Sequence, residues 1–74
     1  MLKDNDLMPF GKHKGDRMEY VPAQHLLALY EGELFQEDNE NHRLVKAYVI
    51  DNLQVLRMEV KKEQEELYRQ QKHN

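Results

Sequence analysis

Hydrophobic positions along the 74-residue chain change their spacing twice. Leu7-Met8-Pro9-Phe10 is a short apolar run that reads as a strand. Pro9 cannot donate a ladder hydrogen bond, so this would be an edge strand or a strand start. Arg17-Met18-Glu19-Tyr20-Val21 then alternates polar and apolar, with Met18 and Tyr20 on one face, as a half-buried strand should. Gly11-Lys12-His13-Lys14-Gly15 lies between them, with a glycine at each end able to take positive φ. Residues 7–21 therefore predict a β-hairpin with a loop of about five residues. A hairpin alone is marginal in water, so it should pack on a helix.

The spacing switches to threes and fours after Val21. Pro22 suits the first position of a helix, where its missing N–H costs nothing. Leu26, Leu29 and Tyr30 share a face, and Gly32 is a good stop, so residues 22–32 predict a short helix. Leu34 and Phe35 anchor the following linker. Asp38 or Asn39 can cap the next helix, with Glu40 favourable in its first turn. Glu40 to Gln70 contains no proline or glycine. Residues 39–70 thus predict one long helix of about 30 residues, roughly 45 Å. That exceeds what so small a body can cover. Residues 1–6 are polar and are expected to fray.

Val45, Val49, Leu53, Leu56, Val60 and Leu67 form one stripe on that helix, flanked by Leu44, Tyr48 and Val55. The arc covers roughly half the circumference. It is either an ordinary core face or a face shared between the domain and a second copy of the chain. Asn52 falls inside the arc. It could pair with its symmetry mate and fix register, or bond a nearby carbonyl. Beyond Val60 the apolar residues thin out, and Lys61/Glu65, Lys62/Glu66 and Glu65/Arg69 take i, i+4 spacing that supports an exposed helix. This part is a solvated extension or an assembly arm.

Composition narrows the picture. The length suits a single domain, residues 1–74, with a marginal core. Small folds often add a staple. Cysteine is absent, so disulfides and thiolate zinc sites are excluded, and self-association becomes the expected aid. The N-terminus has no signal-peptide pattern, and no apolar run approaches the roughly 20 residues a membrane helix needs. A cytoplasmic protein without membrane contact is expected. Net charge is −3, which argues against nucleic-acid binding by bulk electrostatics. The charge is unevenly placed: residues 1–24 sum to zero, 25–43 to −4 and 44–74 to +1. The densest basic cluster is Lys12, Lys14 and Arg17.

The same cluster is the only candidate chemistry of note. Gly11–Gly15 has three residues between its glycines and lacks the Lys-Ser/Thr of a P-loop. A tight turn can still aim N–H groups at an anion. Lys12 and Lys14 would add point charges, Arg17 a bidentate fork, and Phe10 and Tyr20 stacking surfaces. The alternative is a solvated turn whose charges blunt a sheet edge. His13, His25, His42 and His73 show no metal-ligand spacing, so no metal or other cofactor is expected. Serine, threonine and cysteine are all absent, which removes every hydroxyl and thiol nucleophile except tyrosine. No enzyme activity is expected of so small a chain.

Met8-Pro9-Phe10-Gly11-Lys12-His13-Lys14-Gly15, with Val21-Pro22 and Leu26, resembles a family of small bacterial and phage proteins labelled quorum-sensing-regulated virulence factors. The pattern MPFGKxKG…VPxxYLxWL is also similar to the C-terminal extension of some proofreading-type 3′–5′ exonucleases. The resemblance covers about residues 6–30. Phe10, Gly11, Lys12, Lys14, Gly15, Pro22, Leu26 and Leu29 match it. His25 stands where the pattern has tyrosine, and Ala28 where it has tryptophan. By analogy with the exonucleases, the resemblance implies a nucleic-acid accessory role.

The sequence thus predicts an α+β fold, with an N-terminal β-hairpin packed on a short helix and a long C-terminal helix. Two functions are open. One is a non-catalytic module that contacts phosphate or nucleic acid through Phe10, Lys12, His13, Lys14 and Arg17. The other is a structural or adaptor protein that forms a homodimer, or binds a protein partner, through Val45, Val49, Asn52, Leu53, Leu56, Val60 and Leu67.

Overall fold

The computed structural model describes residues 1–72, with side chains described through Leu67. Three helices carry the fold: α1 (Ala23–Glu31), α2 (Glu40–Asp51) and α3 (Leu53–Lys72). A 3₁₀ turn, Met18–Tyr20, precedes them. Among the described residues there is no strand and no sheet, so the expected hairpin and the α+β class are corrected to an all-helical fold.

Residues 7–21 do turn back on themselves, but a single antiparallel bridge, Leu7–Arg17, is all that forms. The Met8 N–H donates to the Asp16 carbonyl (2.7 Å), the Gly15 N–H to the Met8 carbonyl (2.9 Å) and the Met18 N–H to the Asp6 carbonyl (2.8 Å). Pro9 has no donor with which to extend the ladder. The second segment then coils instead of extending. Tyr20 N–H donates to the Arg17 carbonyl and Val21 N–H to that of Met18. This separates two residues expected on one face: Met18 is 1% exposed and Tyr20 69%.

Residues 1–6, expected to fray, are tied down. The Tyr48 hydroxyl donates to Asp4 Oδ1 at 2.8 Å. The Lys3 N–H donates to Asp6 Oδ2, and the Glu19 N–H to the Asp4 carbonyl. Burial and the Asp4 carboxylate push the Tyr48 hydroxyl well above the usual tyrosine range.

Pro22 stands just outside α1, where its carbonyl accepts from the His25 and Leu26 N–H groups. Asn39 caps α2, its Oδ1 accepting from the Asn41 and His42 N–H groups. The expected long helix is interrupted at Asn52. Helical bonding carries across this point: the Asn52 N–H reaches the Tyr48 carbonyl (3.1 Å) and the Leu56 N–H the Asn52 carbonyl (2.9 Å). Asn52 Nδ2 also donates to the Tyr48 carbonyl at 2.9 Å, so the side chain shares that acceptor with its own backbone N–H where the two helices meet. The longest dimension, 48 Å, matches two helices of 12 and 20 residues running nearly end to end.

α1 packs on both α2 and α3. The core consists of Met8, Met18, Val21, Ala23, Leu26, Leu27, Val45, Tyr48, Val49 and Leu56. No described helix is long and apolar enough to cross a membrane.

Candidate phosphate-binding loop

Two glycines define the loop. Gly11 has φ +81° and Gly15 φ +91°. Neither is crowded, since a Cβ at either would meet nothing within 4 Å. The backbone conformation alone therefore requires glycine at these positions. Inside the loop, Lys14 N–H donates to the Gly11 carbonyl (3.1 Å) and Asp16 N–H to the His13 carbonyl (3.0 Å). With Gly15 bonded to the Met8 carbonyl, two of the five N–H groups of Gly11–Gly15 are already paired, those of Lys14 and Gly15. An anion there would meet the loop's side chains as well as its remaining N–H groups.

Those side chains fare differently. Lys12 and Lys14 are exposed, and neither has an ion-pair partner among the described residues. Arg17 lies 3.6 Å from Glu19 Oε1, with its guanidinium 5.9 Å from the centre of the Tyr20 ring. His13 is half-buried, and its Nδ1 lies 3.4 Å from Asp16 Oδ2. Its ring meets that of His25 edge-on, with centroids 4.7 Å apart and planes at 69°. Burial first, then the proximity of His13 and Lys12, lowers the His25 pKa below the usual histidine range.

Phe10 is not a free stacking platform. Its ring stacks on His42 (3.8 Å, 9°) and meets Phe35 edge-on at 6.5 Å. His42 Nδ1 accepts the Gln36 N–H at 3.1 Å, so its other ring nitrogen carries the proton. This aromatic cluster ties the loop's base to the linker and to the start of α2. Tyr20, by contrast, is open to solvent.

Sequence reasoning missed the partnership of His13 with His25. They stand twelve positions apart, and the bend at Val21 brings the first turn of α1 beside the loop. Among the described residues, no three His, Asp or Glu side chains gather as a metal site requires.

The helical stripe is split by the fold. Val45, Val49 and Leu56 are buried in the core of the single chain. Leu53 and Val60 pack partly against that core. Asn52 is occupied with the Tyr48 carbonyl. Leu67 is 60% exposed on the overhang of α3, and Ile50, Val55 and Met58 are exposed on another side of α2 and α3.

No family model, curated protein or solved structure matches this chain. The resemblance at Met8–Gly15 rests on its own residues.

Proposed function

We propose that the chain is a non-catalytic cytoplasmic binding module that takes the phosphate groups of nucleic acid on its Gly11–Gly15 loop. One observation carries the reading. The loop is braced at its base by Met8, Asp16 and the Phe10–His42 stack, yet Lys12 and Lys14 are exposed without carboxylate partners among the described residues. Of the two aromatic rings beside the loop, exposed Tyr20, with Arg17 beside it, supplies a stacking surface, whereas Phe10 is held against His42. Filter binding of a single-stranded oligonucleotide across a salt series tests this. Two phosphates neutralised by Lys12 and Lys14 give a log–log slope of about −1.4, and about −2 if Arg17 exchanges Glu19 for a third phosphate. Lys12→Ala with Lys14→Ala should abolish binding. A salt-independent affinity, or binding that survives the double substitution, overturns the reading.

A second reading, self-association through the long helix, is favoured by exposed Ile50, Val55, Met58 and Leu67. Residues 53–62 carry +2 and residues 63–67 carry −3, so an antiparallel second copy would oppose unlike charges. Sedimentation at tens of micromolar decides this reading. A strict monomer refutes it.

A further inference from the structure

The loop and α1 contribute one imidazole each to a shared edge. His13 comes from the loop and His25 from the first turn of α1, with 4.7 Å between ring centres and the rings nearly perpendicular. Among the described residues, Lys12 and Asp16 are the charged groups recorded against this pair. His25 meets His13 and Lys12. His13 meets Asp16, 3.4 Å from its Nδ1, as well as His25.

We propose that His13 and His25 form a proton-linked floor to the phosphate site, so that a phosphodiester binds the pair in its doubly protonated form. This rests on the reading of the loop as a phosphate site, and it adds how that site is regulated. A perpendicular pair tolerates one proton, because the edge of an imidazolium lies against the face of a neutral ring. Asp16 Oδ2, 3.4 Å from His13 Nδ1, is the one carboxylate recorded against the pair among the described residues. A second proton on His25 would set two cations within 5 Å of each other, with Lys12 close by. An anion lying against both rings removes that conflict. Phosphate binding then draws a proton onto His25, and protonation in turn tightens phosphate binding. Linkage limits the gain to about tenfold per pH unit for each proton taken up. Half-burial of His25 and its like-charged neighbours keep it neutral in the empty site at neutral pH. The site is therefore weak at pH 7.5 and strong near pH 5.5.

The probe is an oligothymidylate, whose phosphodiesters and bases do not titrate in this range. Its affinity is measured from about pH 7.5 to about pH 5.5 for the full chain, for His13→Gln and for His25→Gln. The full chain should gain about tenfold, and each variant should flatten the profile. His42 and His73 remain in both variants, so flattening isolates the pair. A ligand-free measurement accompanies this: in His13→Gln, the His25 ring-proton titration followed by NMR should move to higher pH. An affinity independent of pH that Lys12→Ala with Lys14→Ala still abolishes refutes the histidine floor and leaves the loop reading intact. Absence of binding at every pH refutes both. A His25 titration unmoved by His13→Gln refutes the coupling, whatever the probe does.

Discussion

Replacing Glu33 with glycine should stabilise this protein. Helix α1 closes with three bonds: Gly32 N–H to the Ala28 carbonyl (3.0 Å), Glu33 N–H to that of Tyr30 (3.2 Å) and Leu34 N–H to that of Leu29 (3.0 Å). The last two are the 5→2 and 6→1 bonds of a Schellman motif, whose C′ residue takes the left-handed conformation. Here C′ is Glu33, with φ +53°. Glycine sits one position earlier, at Gly32, with an ordinary φ of −81°. It is needed there for another reason, because a Cβ at Gly32 would lie 2.9 Å from the Ala28 carbonyl oxygen.

The left-handed region costs a residue with a Cβ about 1–2 kcal/mol. Glycine at position 33 removes that cost but adds about 0.5–1 kcal/mol of unfolded-chain freedom. The net expectation is about 0.5–1 kcal/mol of added stability. For a domain of this size that raises the melting temperature by about 2–8 °C. Circular dichroism melts at fixed concentration measure it. Glu33→Gln keeps the strained backbone and removes only the charge, so it should change stability by less than about 0.5 kcal/mol. Gly32→Ala drives a methyl against backbone oxygen and should lose about 1–3 kcal/mol. The reasoning fails if Glu33→Gly is no more stable than Glu33→Gln.

Leu26 is fully buried where α1 packs on the rest of the core, so Leu26→Ala should cost about 2–5 kcal/mol in urea titrations, enough to unfold most of a chain this small. Tyr48 holds its proton more tightly folded than unfolded, so native stability should fall as pH rises above about 10; Tyr48→Phe should remove that alkaline loss in melts across pH. His25 binds its proton less readily folded than unfolded, so stability should fall as pH drops below about 6.5, and His25→Gln should lessen that acid-side loss.

The helices were legible because their cues are local. Pro22 and Gly32 bracket α1, and the steps of three and four in Val45, Val49, Leu53 and Leu56 extend through α2 into α3. Glycines at both ends of the loop also signalled the turn. The hairpin was misread because alternation over three residues does not separate a strand from a 3₁₀ turn. Met18, Glu19 and Tyr20 fit both until tertiary packing buries one end and exposes the other. The stripe on the long helix gave a face without saying what covers it. Val45 and Val49 are buried in the same core cluster as Met8, Met18 and Leu26, while Leu67 is 60% exposed. The interruption at Asn52 goes with an amide bonded to the Tyr48 carbonyl, a choice of partner that the apolar arc around it did not specify. The His13–His25 edge was invisible for the same reason as the Tyr48–Asp4 bond: neither pair shares an element, and no periodicity links them.

The segment without regular structure is anchored to the helices at several points, and this bears on the loop's competence as a binding site. Of the five largest fully buried side chains, Met8 and Met18 flank the loop, one on each side. Tyr48 and the Phe10–His42 stack add two further attachments. The loop is therefore ordered by folding, and a ligand does not bear the entropy of ordering it. Preorganisation of this kind raises affinity without adding contacts. Lys61 and Lys62 offer the same two charges on the exposed face of α3, outside the braced loop and away from the histidine pair. If charge alone governs binding, removing either pair should weaken an oligonucleotide complex equally. If the braced loop governs it, Lys61→Ala with Lys62→Ala should leave affinity within about twofold, while Lys12→Ala with Lys14→Ala abolishes it. Equal losses from the two double variants would reduce the loop to a solvated turn and make the acidic chain's few cations interchangeable.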